Sequence, residues 1–113
     1  MDRLIAKPSG PLRGVARVPS DKSMSHRALM LGSVAHGVTR ISGLLEAGDV
    51  MSTAAALRAF GADVERSRDG LWTVRGTPWR TPARALDLGN AGTGVRLLMG
   101  LAAGQRVGVT FVG

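Results

Sequence analysis

Ser20, Asp21, Lys22, Ser23, Ser25, His26 and Arg27 gather two cations and three hydroxyls just where a long uncharged run, residues 28–35, begins. Ser20 or Asp21 as an N-cap followed by an apolar run is the signature of a helix start. Such a start presents free backbone N–H groups and the positive end of the helix dipole, and so attracts anions. With the helix opening near Ser23, Ser23 and Arg27 lie four apart on one face, and Lys22 reaches in from the preceding turn. The hydroxyl and the guanidinium can then grip one phosphate or carboxylate, the Arg by paired hydrogen bonds and the Lys as a mobile point charge. Cations at a helix N-terminus oppose the dipole at a cost of about 0.3–1 kcal/mol each. A bound anion would repair that mismatch; a solvated basic first turn is the plainer alternative.

A second stretch, residues 88–96, repeats the theme with different materials. Gly89, Gly92 and Gly94 let the backbone approach a ligand closely, Asn90 and Thr93 add side-chain hydrogen bonds, and Arg96 follows one turn later. The spacing fits neither a P-loop nor the Rossmann fingerprint. By itself the turn could be a tight strand-to-helix connection. Two cation-bearing helix starts in one chain suit a reaction between two anionic partners.

The elements that must position these residues follow from periodicity and breakers. Residues 4–6 and 12–18 read as two short strands around the turn at Pro8 and Pro11, and Pro19 ends that piece. A helix over 23–34, apolar nearly all round beyond its first turn, implies deep burial; His36 and Gly37 end it. Residues 38–42 form a strand. Asp49 caps a helix running to Phe60, with Val50, Ala54, Leu57 and Phe60 on its apolar face and Gly61 just past its end. Residues 62–66 and 71–75 flank Asp69-Gly70 as a hairpin, with Trp72 a packing residue. A strand over 85–88, a helix over 95–103 ended by Gly104, and a strand over 107–112 complete the chain. The order from Val38 is β-α-β-β-β-α-β, which predicts a mixed α/β class with a largely buried sheet.

Composition narrows the function. The chain has 113 residues, 44% of them hydrophobic and 20% charged, which fits one globular domain and not a disordered segment. The formal charge of +7 rests mainly on arginine, so anionic partners are favoured. Scattered arginines without an interleaved aromatic surface argue against nucleic acid. No cysteine is present, and His26 and His36 have no acidic cluster beside them, so neither a thiolate nor a metal centre is expected. No signal peptide or bilayer-spanning run is visible, which points to the cytoplasm and away from membranes. The chain stops straight after a strand and reads as the start of something longer.

Residues 21–29, Asp-Lys-Ser-Met-Ser-His-Arg-Ala-Leu, followed by residues 88–93, Leu-Gly-Asn-Ala-Gly-Thr, resemble the N-terminal part of the EPSP synthase (enolpyruvylshikimate-phosphate synthase) family. Residues 37–41, 44–46 and 57–62 support the likeness, and residues 94–101 look closest to the bacterial group called class II. The resemblance implies the enolpyruvyl transferase architecture of βαβαββ units, with only the first unit and its flanks present. Residues 1–19 would belong to one half of the complete protein and residues 20–113 to the beginning of the other.

It also implies transfer of the enolpyruvyl group of phosphoenolpyruvate to the 5-hydroxyl of shikimate 3-phosphate, without metal or organic cofactor and in a protein expected to be a monomer. By position, Lys22, Ser23 and Arg27 would bind shikimate 3-phosphate. Lys22, Asn90 and Gly92 would bind phosphoenolpyruvate, Lys22 being the catalytic residue, with Thr93 and Arg96 in support. The inhibitor glyphosate would enter the pocket beside Gly92, and an Ala there would crowd it. Ser20 departs from the family pattern, which often has Gly there. The downstream arginines, serine-rich loop and proton-transfer residues of the family are not in this chain, so it should not turn over alone. A non-catalytic anion-binding module and the related UDP-N-acetylglucosamine enolpyruvyl transferase remain the alternatives; the latter usually has Lys-Asn where Lys22-Ser23 stands.

Overall fold

The computed structural model describes residues 2–113. The first ordered element is α1 (Lys22–Val34), followed by β1 (Val38–Ile41), α2 (Gly48–Ala59), β2 (Asp63–Arg66), β3 (Trp72–Arg75), β4 (Leu86–Asp87), α3 (Gly92–Gly104) and β5 (Phe111–Val112). From Val38 onward this is the expected β-α-β-β-β-α-β order. The run α1-β1-α2-β2-β3 supplies a βαβαββ unit less its leading strand.

β3 lies between its partners in an antiparallel sheet of order β1-β3-β2, with Thr39 and Val64 both opposite Val74. β4 and β5 pair in parallel, joined by α3 as the crossover. The hairpin between β2 and β3 closes as its Asp69-Gly70 signal predicts. Ser67 exchanges backbone contacts with Leu71 and Gly70, and Gly70 takes the positive φ of 84° that favours glycine.

The core forms where the helices lie on one face of the sheet. Leu29 of α1, Val50, Ala54 and Leu57 of α2, Val64, Trp72 and Val74 of the sheet, and Leu98 of α3 are buried together. Phe60 stacks on Trp79 with ring centroids 4.3 Å apart. The α2 stripe predicted from its spacing is buried in full, and Gly61 follows it with φ 101°, as a helix stop requires.

Several expectations need correction, and the strand expected over 107–112 covers only Phe111–Val112. Residues 4–6 and 12–18 form no strand; they run exposed, with Leu12 at 92% and Val15 at 97% of full accessibility. A strand needs a ladder partner, and none among the described residues reaches them, while Pro8, Pro11 and Pro19 each remove a donor. The three-stranded sheet is buried on one face only, as its alternating accessibility shows, because helices cover just one side.

α1 is not buried all round. Met24 and Leu31 are each 64% exposed beside Arg27, while Ser25, His26, Leu29, Met30, Gly32 and Ser33 face inward. Hydropathy reports how apolar a face is, and only docking reports whether a neighbour covers it. Finally, α3 begins at Gly92, a turn earlier than expected, so Gly92, Thr93 and Gly94 belong to its first turn and not to the preceding loop.

Candidate functional site: two helix starts

Asp21 initiates α1. Its Oδ1 accepts the Met24 N–H at 2.7 Å, and its backbone oxygen accepts from both the Ser25 N–H and the Ser25 hydroxyl. This cap uses the amides further along the turn and leaves those of Lys22 and Ser23 without an intrahelical acceptor. Ser25 Oγ, buried, also accepts the Leu45 N–H at 3.0 Å and so ties the β1–α2 connection to the α1 start. The next step of that connection is fixed by Glu46, which receives Trp72 Nε1–H at 2.8 Å and the Arg66 guanidinium. The hydrogen bonds from Arg66 and Trp72 hold the Glu46 carboxyl below its usual range against a small opposing effect of burial.

Lys22 stands at the mouth of this turn, half exposed, with Nζ 3.1 Å from Asp49 Oδ2. Asp49 does not cap α2. The N-cap position belongs to Ala47, which makes no side-chain hydrogen bond, and α2 begins at Gly48. Asp49 instead sits in the first turn, accepting the Val50 N–H at 3.0 Å through Oδ1 and pairing with Lys22 through Oδ2. Partial burial raises its carboxyl, but the Lys22 hydrogen bond and charge, the Val50 amide and the nearby His26 outweigh that and hold it below its ordinary value. Asp21 and Asp49 therefore already offset part of the dipole mismatch that two cations create. The case for an anion here rests on the free amides and exposed cations, not on an uncompensated dipole.

Ser23 is half-buried and Arg27 exposed on the same side of α1. Arg27 faces Arg96 across an apolar groove lined by Met30 and Leu31 of α1 and by Leu97, Gly100 and Leu101 of α3. The two arginines thus belong to one groove between helices. Asn90 and Gly92 line a separate hollow of about 270 Å³, walled by Leu88, Ala91 and Val95 and floored by residues 111–113. Leu88 and Ala91 are buried, Ala91 N–H donates to Leu88 O, and Gly92 N–H donates to Asn90 O. With Val95 N–H bound to Ala91 O, the Thr93 and Gly94 amides are the ones left without an intrahelical acceptor. Thr93 is exposed on that turn.

Asp49, His26 and Thr53, which cluster beside Lys22, were given no binding role by the motifs. Their signal lay in spacing: Lys22 and His26 are four apart, as are Asp49 and Thr53, so each pair occupies one face of its helix. Among the described residues no group of three or more His, Cys, Asp or Glu side chains is placed to hold a metal ion. No helix there is long and apolar enough to cross a membrane.

Small, hydroxyl-bearing and basic residues open two helices of this mixed α/β chain, a chemistry suited to anions. Comparison with known proteins makes this specific. A sequence model of the family described as EPSP synthase (3-phosphoshikimate 1-carboxyvinyltransferase) matches residues 6–113. The chain belongs to the EPSP synthase family.

A 3-phosphoshikimate 1-carboxyvinyltransferase of Novosphingobium aromaticivorans is 56% identical over 108 residues, covering 93% of this chain and 24% of that protein. Its counterpart in Rhodopseudomonas palustris strain TIE-1 is 57% identical over 113 residues, covering 97% of this chain and 25% of the relative. The solved EPSP synthase of Acinetobacter baumannii superposes with a TM-score of 0.72 at 42% identity, over 78% of this chain and 20% of that one. The chain thus spans about a quarter of the length of the curated relatives it matches.

Proposed function

We propose that this chain supplies part of the substrate site of an enolpyruvyl transferase, which moves the enolpyruvyl group of phosphoenolpyruvate to the 5-hydroxyl of shikimate 3-phosphate. The observation that carries the reading is the pair of helix starts with open amides and adjacent cations, in a chain the family matches across residues 6–113. In the addition step the 5-hydroxyl gives up its proton to a base, its oxygen bonds to C2 of phosphoenolpyruvate, and C3 gains a proton. In the elimination step C3 returns a proton and phosphate leaves C2. Lys22, Ser23 and Arg27 receive shikimate 3-phosphate at the α1 start; Asn90, Gly92 and the α3 amides receive phosphoenolpyruvate, with Thr93 and Arg96 in support. Lys22 stabilises negative charge gathering on the transferring group, the electrostatic contribution that commonly dominates catalysis.

The groups that move protons lie outside this chain in this reading. Residues 1–19 pair with polypeptide outside residues 20–113, a placement supported by their exposed Leu4, Leu12, Val15 and Val18. The reading also places the protein in the cytoplasm, as a monomer, with neither nucleic acid nor membrane as partner.

Titration of the 113-residue chain with shikimate 3-phosphate and phosphoenolpyruvate, alongside a phosphate-release assay, tests the proposal. Binding that weakens in Lys22→Ala and Arg27→Ala, without phosphate release, is expected. Unchanged binding in both variants would remove the first site, and release by the chain alone would show that it carries its own proton-transfer groups.

A further inference from the structure

α1 and α2 meet through two rungs, each built from residues one helical turn apart. The outer rung is Lys22 Nζ to Asp49 Oδ2 at 3.1 Å. The inner rung is His26 Nδ1 to Thr53 Oγ1 at 2.8 Å, both side chains wholly buried. A diagonal joins them: His26 Nε2 lies 3.7 Å from the same Asp49 oxygen. That nitrogen is buried and has no hydrogen-bond partner. Buried nitrogens seldom go unpaired in folded proteins, and leaving one so is destabilising. α3 closes the cluster from the third side. A Cβ on Gly94 would stand 2.8 Å from Thr53 Oγ1 and 3.3 Å from His26 Cε1, so only glycine lets the helix seat there without displacement.

We propose that Asp49 is the positioning residue of an anion cradle at the α1 start: backed from inside by the His26 Nε2 edge, it sets where the Lys22 ammonium stands. The inference rests on the reading that Lys22 receives a substrate anion.

The hydrogen bonds follow in sequence. The Thr53 hydroxyl donates to Nδ1, which places the ring proton on Nε2, facing Asp49. Closing the 3.7 Å separation to an ordinary hydrogen bond needs a shift of less than about 1 Å. An anion entering the cradle draws Lys22 toward itself, and the carboxylate would then lose its principal partner. The His26 N–H is the donor that keeps it satisfied, so Lys22 can turn to the ligand without leaving an orphaned charge behind. An incidental surface ion pair would have no such backing and would contribute little.

The test uses the intact gene product with shikimate 3-phosphate and phosphoenolpyruvate as separate probes, and selectively ¹⁵N-labelled histidine. The expected result is that Asp49→Asn weakens binding of at least one probe about tenfold, and that Asp49→Glu, which keeps the charge, recovers part of that loss. In the unaltered protein the His26 ¹⁵N signals should show a proton on Nε2 and none on Nδ1, and the Nε2–H proton should move downfield when the probe binds. A proton on Nδ1, or Asp49→Asn binding both probes as the unaltered protein does, would overturn the proposal. Where Lys22→Ala weakens binding and Asp49→Asn does not, only the positioning role fails. Where Lys22→Ala changes nothing, the cradle reading fails with it. Should Asp49→Asn not fold, Asp49→Glu and the His26 signals of the unaltered protein still decide.

Discussion

The starts of α1 and α3 are both sites where helix amides face outward, yet they are built from different materials. At α1 the chain spends side chains. Asp21 caps, Lys22 and Arg27 carry the charge, and Asp49 arrives from α2 to hold Lys22. At α3 there is no side-chain cap; glycines and Ala91 let the backbone itself form the wall of the hollow. In the proposed reading the first site depends on charge and the second on the absence of Cβ atoms. Substitutions should therefore divide sharply, with charge changes felt at α1 and added methyl groups felt at α3.

The largest effect is expected where the two regions touch. Gly94→Ala drives a methyl group into Thr53 and the His26 ring, and should lower stability by about 1–3 kcal/mol in denaturant unfolding. Unfolding unaltered by this change would mean that α3 does not seat on the α1–α2 rungs. Next, Lys22→Ala should reduce affinity for shikimate 3-phosphate about tenfold, by loss of a charged hydrogen bond. The same substitution should barely move the melting temperature, since the side chain is 55% exposed.

Asp21→Ala removes the α1 cap and should lower stability by about 1 kcal/mol, whereas nothing comparable exists to remove at α3. The smallest change is Gly92→Ala. Its new methyl would meet nothing nearer than Arg96 Nη1 at 3.8 Å, so stability should stay within about 0.5 kcal/mol while phosphoenolpyruvate titrations report the narrowed hollow.

Acidity offers a further separation of the two sites. Asp49 is held below its ordinary value of 3.8, so the unfolded chain binds its proton more readily than the folded one. Its contribution to stability is present above that value and disappears as pH falls through the lower folded one. The stability difference between the unaltered chain and Asp49→Asn should thus shrink on acidification below about pH 4. A gap that persists unchanged would place the Asp49 effect in packing and not in its charge.

Much of this was legible in the residues themselves. The α1 start, the buried face of α2, the stop at Gly61 and the Asp69-Gly70 hairpin follow from caps, spacing and turn chemistry, all of which act within a few residues. Lys22, Ser23 and Arg27 could be placed at a helix start from local sequence, while Asn90 and Gly92 stood out only as parts of a glycine-rich turn. Asp49 takes a different role from the one its position suggests because a carboxylate near a helix start has two uses, capping its own amides or reaching a neighbour, and local sequence favours the first. The strands expected over 4–6 and 12–18 failed for a related reason: a short apolar stretch beside a turn can prepare a strand, but only a partner edge completes one.

What the sequence determined by itself is the identity of its helix starts and the apolar faces they lead into, because 3.6-residue periodicity and cap hydrogen bonds are local. What only the tertiary structure decided is which groups those faces meet. The docking of α1 on α2 joined His26 to Thr53 across 27 residues of chain, set Lys22 against Asp49, and left Leu31 open to solvent. Contacts between helices depend on where each helix lies in space, and no spacing within either one specifies that.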